Sequence, residues 1–190
     1  MIKNKQDLID YLEADRLALG RKQGKPKSTD LIWKYEILLR KCEYWHNCHL
    51  NLFGAAPRRW YLKRLFNLGV RCGFSIPLNA CGKGLSLAHV GPVVINGGAR
   101  IGEYCRIHIC VNIGTEAGKS AVAPIIGNRV YIAPGSKLFG NIYIADDIAI
   151  GANSVVNRSF EDAGIGIAGV PAKKINDKGS KGLLYIPNKT

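Results

Sequence analysis

The chain has 190 residues, 27 basic against 14 acidic side chains, a formal net charge of +13, and 22 glycines. That length holds one main domain with a smaller appendage, and the charge favours anionic partners: nucleic acid, an anionic membrane face, an acidic polymer or a phosphate-rich cofactor. No apolar run approaches the roughly 20 residues that span a bilayer, and the opening MIKNKQDLIDYLEADR lacks the apolar core of a secretion signal, so a cytoplasmic location is expected.

Residues 1–72 read as a helical N-terminal region. Asp30 opens a segment running through WKYEILLRKCEYWHNC with apolar residues at helical spacing. A second helix is expected in PRRWYLKRLFNLGV, with Pro57 near its start and Gly69 near its end. GRKQGKPKS reads as a flexible connection. The six cysteines (Cys42, Cys48, Cys72, Cys81, Cys105 and Cys110) form no CxxC pair and are expected to stay reduced. Cys42, His46, Cys48 and His49 match no standard zinc spacing and read as a helix face. Residues 57–69 combine Arg58, Arg59, Lys63 and Arg64 with aromatic and aliphatic side chains. Packing of the apolar side within an assembly is one reading of that stretch, and contact with anionic lipid is the other.

From residue 95 an aliphatic returns every sixth position: Ile95, Ile101, Ile107, Ile113, then Ile126, Ile132, Leu138, Ile144, Ile150 and Val156. Four places after these come Ala99, Cys105, Val111, Val130, Ser136, Ile142, Ile148 and Ser154. A helix repeats at 3.6 residues and a strand at two, so neither explains a period of six. A three-sided prism does: each hexapeptide makes one short strand and one corner, and each coil buries its end on the next. The predicted fold is mainly β, a single-stranded left-handed parallel β-helix over residues 73–175 behind the helical region, with 176–190 as a polar tail. Its winding is an exception to the right-handed crossover rule. Between Ile113 and Ile126, GTEAGKSAVAPI is too long for a corner and reads as an extruded loop of the kind that lines binding sites.

Together, GLSLAHVGPVVINGGARIGEYCRIHICVNIG, the loop, APIIGNRVYIAPGSKLFG, IAIGANSVV and GVPAKK resemble the serine acetyltransferase-like branch of the hexapeptide-repeat acyltransferases, over about residues 73–175. Within it, GFSIPLN, AHVG and CRIHICVNIGT look closer to members associated with polysaccharide synthesis. The resemblance implies an acetyl-CoA-dependent O-acetyltransferase without a metal, working as a homotrimer with possible pairing of trimers. His89 is the implied general base, its ordinary pKa of about 6.5 leaving it largely neutral near pH 7. Backbone N–H groups near the corner would stabilise the oxyanion. The resemblance places coenzyme A in a groove between prisms, along Gly114, Ala133 and Ala152. Arg158, Lys173 and Lys174 suit its phosphates.

The chain also departs from the family. Ala88 precedes His89 where the family has aspartate, Phe74 stands near the place of another, and Ala123 precedes Pro124 where a histidine is expected. Those losses remove groups that bind an amino acid, so a saccharide or sugar-linked hydroxyl is the expected acceptor. Serine transfer and a non-catalytic assembly role are the alternatives. Asn79 and Glu116 are the side chains expected to face the acceptor, and either of them or a backbone carbonyl is expected to orient His89. His108 is expected to face outward beside the ladder. A zinc lyase on the same prism needs three converging histidines, and this stretch holds only His89 and His108.

Overall fold

The computed structural model describes residues 1–50, 52–118 and 122–185. Lys119–Ala121 of the expected loop and residues 186–190 of the expected tail lie outside the described residues.

Three helices come first. α1 (Lys5–Ala18) starts at Asn4, whose side chain accepts from the Asp7 N–H. α2 (Leu31–Cys48) starts at Asp30, which accepts from the Trp33 N–H and pairs with Arg21 at 2.7 Å. α3 (Leu52–Cys72) begins before Pro57 and runs through Gly69, which corrects both expected boundaries. Pro57 costs a helix one bond and sits close enough to the first turn for the helix to tolerate it. Gly69 is a contact residue, because a Cβ there would lie 2.8 Å from the Phe74 carbonyl oxygen. The helix stops at Gly73, with φ +77°. Among the described residues no helix is long and apolar enough to cross a membrane.

The rest of the chain winds through three sheets in turn. One sheet holds β1 (Phe74–Ser75), β3 (Val93–Ile95), β6 (Val111–Gly114), β9 (Lys137–Phe139) and β12 (Val155–Val156). The second holds β4 (Arg100–Ile101), β7 (Ile125–Ile126) and β10 (Tyr143–Ile144). The third holds β2 (Ser86–Leu87), β5 (Arg106–Ile107), β8 (Tyr131–Ile132), β11 (Ala149–Ile150), β13 (Gly166–Gly169) and β14 (Ala172–Asn176). Every pairing is parallel except that of β13 with β14.

The six-residue aliphatics form one ladder per sheet: Ile95–Ile113–Leu138–Val156, Ile101–Ile126–Ile144, and Leu87–Ile107–Ile132–Ile150–Ile167. All of them are buried, as are Ala99, Cys105, Ser136, Ser154 and the other residues four places on. Corners turn on left-handed residues such as Tyr104, Arg129 and Asp147, each with φ between 54° and 60°.

A coil needs a neighbour to satisfy its backbone, and the first coil has none before it. The helices supply one. On α2, Glu36, Arg40 and Glu43 recur at i, i+4 and i+7 and face the prism; α1 adds Asp15. The Leu85 N–H donates to Asp15 at 2.9 Å, the Leu87 N–H to Glu36 at 3.0 Å and the Asn79 N–H to Glu43 at 2.8 Å. Arg40 donates to the Cys81 and Gly82 carbonyls at 2.9 and 2.6 Å and pairs with Asp15 at 2.7 Å and Glu43 at 3.0 Å. All four side chains are buried, Arg40 at 0% exposure. Tyr35, meeting Phe74 edge-on at 4.9 Å, and Leu39 join this seam to the prism core. The expected polar tail also packs back: the Ser180 hydroxyl donates to the Arg129 carbonyl at 2.6 Å, and its N–H to that of Asp147 at 2.9 Å.

Replacing Arg40 with alanine leaves Asp15 and Glu43 buried without their cation, and such losses cost about 3–5 kcal/mol. Urea unfolding is expected to show that loss; a change under about 1 kcal/mol would contradict the account. Burial and the neighbouring Asp15 push the Glu36 carboxyl well above its ordinary range. The folded chain therefore keeps this proton after the unfolded chain loses it near pH 4.3. The stability tied to Glu36 is complete below that pH and is lost as pH rises toward the folded-state value. Glu36→Gln removes the titration and keeps an acceptor for Leu87. Its melting temperature relative to wild type should climb as pH rises above about 4.3, and a pH-independent difference would refute the assignment.

Candidate active site

His89 follows β2 at the corner between the third and first sheets and is exposed. Its closest ring neighbour is His108, with centroids 6.0 Å apart; His108 in turn meets Tyr131 edge-on at 5.0 Å. The register explains this meeting. Leu87 and Ile107 share a rung, so the next residues, Ala88 and His108, are side by side on the outer face. The Ala88 N–H donates to Ile107, that of His108 to Ile132 and that of Ala133 to Ile150, which sets Ala88, His108 and Ala133 in one row.

The two histidines differ in setting. His108 is half-buried, and its Nε2 is shut off from solvent with no hydrogen-bond partner among the described residues. Burial, then the charge of Arg106, then His89 lower its pKa, so it stays neutral near pH 7. Arg106 is held on the same face by donating to the Ser86 hydroxyl at 2.8 Å. Counting in sixes from Ile95 does not reveal this cluster, because Leu87 and Ile107 share a rung although they are separated by more than three hexapeptides.

Asn79 is placed elsewhere, which corrects its expected role. Its carboxamide exchanges two hydrogen bonds with Asn47, at 2.8 and 2.9 Å, and its N–H is taken by Glu43. It belongs to the seam between helices and prism because its left-handed backbone, φ 63°, turns the chain into the first coil there. Glu116 follows β6 at the start of the loop and is half-buried. Phe74 is packed on Tyr35 and Ala123 is buried, so neither offers a polar group to His89.

The expected coenzyme groups are spread over the prism. Ala133 lies beside His108, and Ala152 sits one coil on, past the end of β11. Gly114 ends β6, at the far side of the first sheet, so a single chain does not gather all three into one cleft. Arg158 donates to the Ala172 carbonyl at 3.2 Å and lies over Phe160 at 5.3 Å. Lys173 and Lys174 are adjacent on β14, and Lys174 pairs with Asp177. A cleft of about 310 Å³ runs along the outer face of the third sheet from Tyr131 and Ala133 to Gly166 and Asn176. Among the described residues no three acidic, histidine or cysteine side chains converge as a metal site. Cys42 is buried, its thiol pushed up to about 12, and His49 lies on Trp45 at 4.5 Å.

No family model matches the chain. It is 34% identical over 99 residues to a serine acetyltransferase of Synechococcus elongatus, covering 52% of this chain and 40% of the relative. It is 39% identical over 93 residues to that of Helicobacter pylori, covering 48% and 53%. The chain thus spans about half the length of the curated relatives it matches. Among solved structures, the soybean serine acetyltransferase apoenzyme superposes with a TM-score of 0.70 at 25% identity, over 90% of this chain and 70% of that one. The chain therefore shares its fold with serine acetyltransferases and is similar to them in sequence over about half of its residues.

Proposed function

We propose that the chain is an acetyl-CoA-dependent O-acetyltransferase with His89 as its general base. The observation that carries this reading is an exposed imidazole at a prism corner, beside a neutral half-buried one, on a fold shared with serine acetyltransferases. The His89 imidazole takes the proton of an acceptor hydroxyl as that oxygen attacks the thioester carbonyl carbon. The C–S bond breaks, and the imidazolium returns the proton to the departing thiolate, giving an ester and the free thiol. In this reading the prism winds left-handed and three copies assemble. Gly114 of one copy then adjoins the Ala133 and Ala152 side of the next, with Arg158, Lys173 and Lys174 near the coenzyme phosphates.

L-serine is the acceptor that the similar proteins support, since each is a serine acetyltransferase. A saccharide hydroxyl is the second reading, favoured by a specific observation. Ala88, Phe74 and Ala123 bring no charge to the corner where an amino acid needs its ammonium and carboxylate paired. In both readings His108, standing beside Ala88, acts as the positioning residue, and Glu116 is placed to face the acceptor from the loop.

A thiol-release assay with acetyl-CoA, run against serine, sugars and amino sugars, distinguishes the acceptors. His89→Ala is expected to lower turnover about a hundred- to ten-thousand-fold; unchanged turnover would remove His89 from the chemistry. Substituting His108 with asparagine is expected to lower kcat by roughly ten- to a hundred-fold, with the KM for acetyl-CoA little changed. A change confined to that KM would place His108 with the donor instead.

A further inference from the structure

We propose that the groove between α2 and α3 binds the phosphate headgroup of an anionic phospholipid and holds this chain on a membrane face. Lys34 and Lys41 rise from α2 seven residues apart, and Arg64 and Arg71 do the same on α3, so each pair spans about 10 Å along its helix. The four cations rim a cavity of about 510 Å³, whose lining includes Leu38 and Leu68, each midway between the two cations of its own helix. Among the described residues no carboxylate lines the cavity. Among the described residues none of the four is in an ion pair, whereas Arg16, Arg21, Arg40, Arg129 and Lys174 all are. Lys34 is held by donating to the Ser28 carbonyl at 2.7 Å, and Arg64 lies 4.5 Å over Trp60. These contacts hold Lys34 and Arg64 without pairing them with an anion.

Four like charges around one groove repel each other, and a bound anion relieves that repulsion. The aliphatic lining selects the kind of anion. A single nucleic acid strand stacks its bases on aromatic side chains, and among the described residues none lines this cavity. A phospholipid headgroup presents a phosphate to the rim and the start of its hydrocarbon to Leu38 and Leu68. This assignment moves the lipid contact from residues 57–69 to a groove that shares only Arg64 of the cations in that stretch. Arg59, Lys63 and Phe66 share the opposite flank of α3, and the groove takes Arg64 and Arg71.

The test is co-sedimentation of the full chain at low salt with phosphatidylcholine vesicles, with and without phosphatidylglycerol. Binding is expected only with phosphatidylglycerol. The double variant Arg64→Gln/Arg71→Gln should weaken it roughly thirty-fold, at about fivefold per cation near the surface. Arg59→Gln/Lys63→Gln removes the same charge from the opposite flank and should leave binding within about threefold. Melting temperatures of both variants verify folding, and Lys34→Gln/Lys41→Gln serves as the groove variant if the first is unstable. Equal losses in the two double variants would overturn the proposal in favour of diffuse charge. Displacement from vesicles by millimolar inorganic phosphate would overturn it in favour of a soluble phosphate ligand, and equal groove-dependent binding of a short single-stranded DNA in favour of nucleic acid. No binding to either vesicle would end it.

Discussion

A stack of short parallel strands has a first rung whose outward N–H and carbonyl groups point at nothing, and burying them unpaired costs more than a coil gains by packing. Here that rung is completed by side chains. Three carboxylates accept the N–H groups of Asn79, Leu85 and Leu87, and one guanidinium donates to the carbonyls of Cys81 and Gly82. Arg40 binds Asp15 and Glu43 as well as the rung, so it joins both helices to the prism through one planar group. Burial pushes the Asp15 carboxyl up while Arg40 opposes the shift, and Glu36, farther from that cation, is pushed well up. Since Leu87 is two residues from His89, the same seam fixes where the imidazole emerges.

The prism was legible in the chain because its period is a property of every rung. One large inward residue per six, with a small one four places on, describes a corner and a face, and no other regular element reproduces it. The helical seam was not legible. Glu36, Arg40 and Glu43 repeat at helical spacing like residues on a solvated face, and only the three-dimensional contact with an uncapped coil shows that they point inward. Asn79 was misplaced for a related reason: a polar residue beside the first coil looks available to a ligand until Asn47 and Glu43 are seen to hold it. The start of α3 was obscured by Pro57, which usually marks a first turn, and its end by Gly69, kept for its closeness to the Phe74 carbonyl.

At the candidate site, the sequence shows the residues flanking His89 and not what packs beside them. Ala88 leaves the neighbouring rung position as the principal occupant of that face, and His108 fills it between His89 and Tyr131. An imidazole held neutral by burial and by Arg106 differs in kind from a carboxylate, because it brings no charge of its own to the corner. The polarity of this corner therefore comes from rings and backbone.

The far end of the prism is finished differently, by a reversal. β14 turns back antiparallel on β13 and presents Lys173 and Lys174, while residues up to Ser180 fold over the last corner. An open terminal rung would be a template on which a second molecule could continue the stack. A reversed, cationic strand refuses that addition, and the helices refuse it at the other end. Stacking of a second molecule along the long axis is thereby opposed at both ends of the third sheet, while the flanks of the prism stay open to contact.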